Sequence, residues 1–181
     1  MEFREIEIKL KVNNLDELEE KLKQAGCVFA GSIRQHDTLY SSDANLNKHE
    51  GHIAIRIRNE NNVHKLTLKQ QRSNEMDNIE CETKVDNPES VNRMLEILGW
   101  KKEEIEIIKN RKKGKLGEYE VCLDRVDKLG DYVELEKMTH DNDDPEKVRE
   151  ELFKALEPFG LTRNDEETKG YDTLMYLLKD E

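Results

Sequence analysis

The sequence predicts an α+β fold, an eight-stranded antiparallel β-barrel with helices packed outside it, and three observations predict it. Eight segments alternate apolar and polar residues with period two, the spacing at which successive side chains leave a strand on opposite faces. The segments between them carry single apolar stripes at helical spacing, with capping residues at their ends. Eight mostly antiparallel strands also favour closure, which removes exposed edges and leaves interior room for side chains or one small ligand.

The period-two segments lie near residues 4–11, 35–41, 53–59, 63–70, 78–85, 104–112, 117–126 and 131–137. After the first, Leu15, Leu18, Leu22 and Ala25 make one apolar stripe, Asn14 caps its start, and Gly26 suits a left-handed stop. A second helix begins at Asn87 and Pro88, turns Val91, Leu95 and Leu98 inward, and ends at Gly99. The third repeats this grammar with Asp144, Pro145, Val148, Leu152 and Leu156, stopping near Pro158 and Gly160. A last helix carries Tyr171, Leu174, Met175 and Leu178, and the acidic stretch HDNDDPE at 140–146 reads as a loop entering the third helix. No linker or low-complexity stretch interrupts the 181 residues, so one domain over 1–181 is expected.

Composition narrows the function. The chain is 35% hydrophobic and 39% charged, yet its Val, Ile and Leu recur at regular spacings, which a disordered polar chain would not show. A net charge of -11 argues against general nucleic-acid binding, which relies on Lys and Arg neutralising phosphates. No apolar stretch approaches the roughly 20 residues needed to span a bilayer, and the opening MEFREIEIKL is a strand pattern rather than a signal peptide, so a cytosolic protein is expected. Cys27, Cys81 and Cys122 are odd in number and lack C-x-x-C spacing, so they read as free thiols, and the five histidines show no paired ligand spacing.

The informative feature is what alternates with the apolar residues. Glu5, Glu7 and Lys9 share one face while Ile6, Ile8 and Leu10 share the other. The polar faces continue with Arg56 and Arg58; Lys65 and Lys69; Glu80, Glu82 and Lys84; Lys109 and Arg111; Glu118, Glu120 and Asp124; and Glu134 and Glu136. Charges on one strand usually face water. Here cations and carboxylates are segregated by strand, and the single-striped helices must cover the apolar face of the barrel, so the charged face is expected inside. Such cations held together need a polyanion to offset their repulsion, which a triphosphate chain supplies. The carboxylates are hard oxygen ligands of the kind Mg²⁺ or Mn²⁺ prefers.

The run Glu5-Ile6-Glu7-Ile8-Lys9 matches an E-x-E-x-K motif. It is followed in order by Gln35-x-Asp37-Thr38-x-Tyr40, Arg56-x-Arg58, Leu66-Thr67-Leu68-Lys69, Glu80-x-Glu82, Lys109-x-Arg111, Leu123-Asp124 and Leu129-Gly130-Asp131-Tyr132-Val133-Glu134-Leu135-Glu136. Over nearly the whole chain this resembles the CYTH superfamily, the triphosphate tunnel metalloenzymes, and the last run looks most like the class IV adenylate cyclase branch. The resemblance implies a β tunnel with Lys9, Arg56, Arg58, Lys69, Lys109 and Arg111 on the triphosphate. It also implies Glu5, Glu7, Asp124, Glu134 and Glu136 on Mg²⁺ or Mn²⁺, with Glu80 and Glu82 as further tunnel carboxylates. Glu7, Lys9 and Glu136 would be catalytic. Lys169 sits where many relatives carry a basic residue on a C-terminal helix, although Gly170 departs from their usual small hydroxyl residue.

The activity this implies is conversion of ATP to cyclic AMP and pyrophosphate. The alternatives are hydrolysis of the terminal phosphate of tripolyphosphate, thiamine triphosphate or a nucleoside triphosphate, or non-catalytic polyphosphate or nucleotide binding. The expected partner is a triphosphate-bearing small molecule, with neither nucleic acid nor membrane, and relatives of this type are often homodimers.

Overall fold

The structure, a computed structural model, describes residues 4–42, 49–140 and 143–179. Among the described residues nine strands form: β1 Arg4–Val12, β2 Val28–Phe29, β3 Ile33–Ser41, β4 Ile53–Glu60, β5 Val63–Gln71, β6 Asp77–Val85, β7 Lys101–Leu116, β8 Tyr119–Val126 and β9 Gly130–Thr139. The helices are α1 Leu15–Gln24, α2 Pro88–Ile97, α3 Pro145–Leu156 and α4 Tyr171–Lys179.

Around the barrel the order is β7, β3, β4, β5, β6, β1, β9, β8, with β8 pairing β7 to close the ring and every pairing antiparallel. These are the eight expected strands. The ninth, β2, adds two residues to the edge of β7 and is too short to show periodicity.

The strand β7 is longer than its expected 104–112 because Gly114 does not end it. A Cβ there would lie 2.8 Å from the Phe29 ring and 2.9 Å from Cys27 Sγ, so glycine serves close packing of β2 rather than a turn. The expected start of β8 gives way to a hairpin turn, with Gly117 in the left-handed region at φ 62°, and Glu118 sits in that turn.

Apolar faces turn outward and meet the helices. Ile6, Ile8, Leu10, Val133 and Leu135 are fully buried in one cluster with Leu18 and Leu22 of α1 and Leu152 and Leu156 of α3. Asn14, Asn87 and Asp144 cap α1, α2 and α3 through their side chains, as expected, and Pro88 and Pro145 open the latter two helices. The inward stripe on α2 is shorter than expected. Leu95 packs with Tyr40, Ile55 and Ile57, but Leu98 is 73% exposed because the helix ends at Ile97 and the chain reverses at Gly99, leaving Trp100 to cover that part of the sheet. Ala25, expected on the α1 stripe, is likewise an exposed C-cap. The expected loop at 140–146 falls partly on 141–142, which lie outside the described residues; Pro145 onward is helical. The three cysteines are free thiols.

Candidate active site

A strand buried on its outer face by helices must present its other face to the barrel interior. That interior is a cavity of about 370 Å³, within the range of small-molecule sites. Glu5, Glu7 and Lys9 line it from β1, Arg56 and Arg58 from β4, Lys69 from β5, Glu80 and Glu82 from β6, Lys109 and Arg111 from β7, and Glu134 and Glu136 from β9. Most of the charged residues read from the alternation therefore converge inside the barrel, whereas Lys84, Glu118 and Glu120, expected on the same inward faces, do not line the cavity.

The cations there are not bare. Arg58, 5% exposed, donates through Nε and Nη2 to the two Asp37 oxygens at 2.6 Å each. Arg56 reaches Asp37 at 3.8 Å and Glu80 at 3.6 Å. Lys69 lies 2.8 Å from Glu80 and 3.3 Å from Glu5, and Lys65 lies 3.2 Å from both Glu60 and Glu82. Lys109 donates to Asp124 at 2.7 Å, and Arg111 donates to Asp124 and Glu134. Among the described residues the lining carries ten carboxylates and eight cationic side chains. The expectation of cations repelling one another until a polyanion arrives is therefore overturned: built-in carboxylates already pair with most of them.

Two expected residues stand apart from the cavity wall. Asp124 is fully buried behind it, receiving Lys109, Arg111 and the Tyr171 hydroxyl, the last at 3.1 Å. Lys169 lies just before α4 with its side chain exposed, and what it offers the site is its backbone carbonyl, which accepts from Lys9 Nζ. Conversely Asp37, Glu60, Lys113 and Tyr171 line the cavity without having been given a role. Lys113 was legible as the next inward step after Lys109 and Arg111. Asp37 stood in a motif, but nothing in its spacing shows that it grips Arg58.

The carboxylates divide electrostatically. Burial alone would raise Glu134, but Arg111, then Lys109 and Lys9, hold it below the usual carboxylate range. Glu80 is likewise held low against burial by Lys69 and Arg56. Glu7 goes the other way, pushed up to about 7 by burial and by the neighbouring Glu134. Burial and Glu5 push Glu136 well above the usual range, and burial also raises Glu5. Oxygens of Glu7, Glu134 and Glu136 lie within 4.8 Å of one another. Crowded buried carboxylates that cannot all ionise lack positive charge, and an all-oxygen donor set of this spacing fits a hard divalent cation.

The barrel is closed and lined by paired cations and carboxylates, and on one wall Glu7, Glu134 and Glu136 crowd together at a spacing that could hold a metal ion. The chain belongs to the CYTH domain family, which it matches over residues 4–171. It is 30% identical over 169 residues to a protein from Methanocaldococcus jannaschii named "Putative adenylate cyclase", covering 92% of this chain and 95% of that one. Among solved structures it resembles the PH1012 protein of Pyrococcus horikoshii, at TM-score 0.78 and 27% identity over 92% of this chain and 96% of that one. The PH1819 protein of the same organism matches with TM-score 0.78 and 26% identity, over 98% and 99% of the two chains. No helix among the described residues is long and apolar enough to cross a membrane.

Proposed function

We propose that this chain is a divalent-metal-dependent enzyme acting on a triphosphate, and that its reaction is conversion of ATP to cyclic AMP and pyrophosphate. The observation that carries the triphosphate reading is the charge balance of the cavity. With ten carboxylates against eight cations, a free triphosphate of about four negative charges is disfavoured, and one that arrives with divalent metal is not. The name of the Methanocaldococcus jannaschii relative favours cyclisation over hydrolysis.

Arg56, Arg58, Lys69, Lys109 and Arg111 would grip the phosphates. Arg56 Nε is buried without a hydrogen-bond partner, a donor left over for a phosphate oxygen. Asp37, Glu80 and Asp124 pair these cations beforehand, and an incoming phosphate would compete with them for the cations' N–H donors. Glu7, Glu134 and Glu136 would hold the metal, which when bound lowers the pKa of an attacking hydroxyl and offsets charge on phosphate oxygens. The raised proton affinity of Glu7 and Glu136 would make metal uptake release protons.

Product analysis tests this with ATP, tripolyphosphate and thiamine triphosphate in turn, each with Mg²⁺ or Mn²⁺. Cyclic AMP and pyrophosphate from ATP are expected. Orthophosphate from any of the three would make the chain a triphosphatase using the same tunnel, and binding without turnover would make it a sensor.

A further inference from the structure

The segment that follows the barrel returns into it. The amide of Glu167 donates to the Lys9 carbonyl at 2.7 Å, and the amide of Gly170 and the hydroxyl of Thr173 donate to Glu75 at 2.8 and 3.0 Å. Gly170, Tyr171 and Asp172 therefore line the cavity although they lie beyond the last strand. Tyr171 is 8% exposed, rests edge-on against Tyr132 at 5.3 Å, and packs with Ile107 and Leu174. Its ring faces two ammonium groups: Lys9 Nζ lies 4.3 Å from the ring centroid and Lys109 Nζ 4.7 Å.

Lys9 differs from the other cations of the tunnel. Arg58, Lys69 and Arg111 are committed to carboxylates, whereas Lys9, 1% exposed, has no carboxylate at ion-pair distance among the described residues. Its partners are the Lys169 carbonyl and the Tyr171 face, both brought by the C-terminal segment. An aromatic face attracts an ammonium group without offering it an oxygen, so it holds the cation while leaving N–H donors for an incoming ligand.

We propose that Tyr171 is a positioning residue of this tunnel: its ring holds Lys9 and Lys109, from strands on either side of β8 and β9, together at one face for a polyphosphate. The proposal rests on the triphosphate reading and adds that the C-terminal segment completes the site. Lys9 is kept uncommitted by π contact rather than by a carboxylate that phosphate would have to displace.

The test is titration calorimetry of the full chain with tripolyphosphate and Mg²⁺, comparing wild type, Tyr171→Leu, Tyr171→Phe and Leu174→Ala, each with a melting curve to establish folding. Loss of two cation–π contacts predicts a Kd about tenfold weaker for Tyr171→Leu. Tyr171→Phe, which keeps the ring and loses the bond to Asp124, should stay within about twofold of wild type on the same reasoning. Leu174→Ala loosens the same helix without touching either lysine and should bind as wild type does. Should Tyr171→Leu fail to fold, Tyr171→Met replaces it. In parallel, the ε-methylene protons of Lys9 and Lys109 in the wild type should resonate upfield of other lysines through the ring current. A wild type that takes no tripolyphosphate overturns the triphosphate reading. A wild type that binds, with Tyr171→Leu binding equally well, overturns the role of Tyr171 alone. So does Leu174→Ala or Tyr171→Phe weakening binding as much as Tyr171→Leu, or the absence of upfield lysine signals.

Discussion

Asp37→Ala is the substitution that most directly separates what holds the tunnel together from what it binds. Asp37 is 2% exposed, accepts two 2.6 Å hydrogen bonds from Arg58, and lies 3.8 Å from Arg56. Removing the carboxylate strands a buried guanidinium, a change that costs about 3–5 kcal/mol. For a chain of this size each kcal/mol moves Tm by roughly 2–4 °C, so a fall of roughly 6–20 °C is expected. The same change releases Arg58 for an incoming anion. Tripolyphosphate with Mg²⁺ should therefore raise the Tm of Asp37→Ala by more than that of wild type, the gain growing as RT ln(1 + [L]/Kd). Urea denaturation gives the first number and thermal melts across a ligand series the second. The pH dependence has a definite sign. Burial would raise Asp37, but Arg58, then Arg56 and Lys109, hold it below the usual range. Its contribution is then complete above the unfolded value of about 3.9 and is lost as pH falls below that. A variant within about 1 kcal/mol of wild type, the ceiling for a surface pair, would refute the buried-pair argument. Loss of the tripolyphosphate response would refute the competition between carboxylate and phosphate.

Glu136→Gln removes one member of the carboxylate trio, whose charge burial and Glu5 already oppose; turnover should fall by about two orders of magnitude or more while Tm holds or rises, and excess EDTA should silence wild type likewise. Full turnover in either case would sink the metal assignment. Arg58→Ala should shrink the tripolyphosphate-induced Tm gain, whereas Arg163→Ala, whose guanidinium rests 4.5 Å from the Phe153 ring outside the cavity, should leave it unchanged in a thermal-shift series. Gly114→Ala drives a Cβ to 2.8 Å from Phe29 and should cost about 1–3 kcal/mol in urea denaturation, and an unperturbed midpoint would refute the close-packing account of β7.

Alternation exposes faces, and that is why most of the barrel was legible. Ile6, Ile8 and Leu10 against Glu5, Glu7 and Lys9 assign each residue of β1 to a side, and the helical stripes of α1 and α3 decide which side is covered. The misjudged positions are those where a longer-range contact overrides the local pattern. The expected strand stops at 112, yet the chain runs on through Gly114, whose missing side chain serves Phe29 from another strand, and Leu98 continues a stripe on a helix that has already stopped.

Inside the tunnel the limit is different in kind. Period two places Arg58 and Lys69 inward but does not say which carboxylate each one meets, because pairing across the ring depends on register and shear. Asp37 reaches Arg58 through the β3–β4 register, and Glu80 reaches Lys69 through β5–β6. The repulsive basic pocket that the sequence suggested becomes, once those pairs form, a largely neutralised framework whose remaining deficit of positive charge lies at Glu7 and Glu136. That reverses the role of the metal. In a bare basic tunnel it would be an accessory to anion binding. In this one a divalent cation would supply the charge that lets a polyanion enter a cavity whose carboxylates already outnumber its cations.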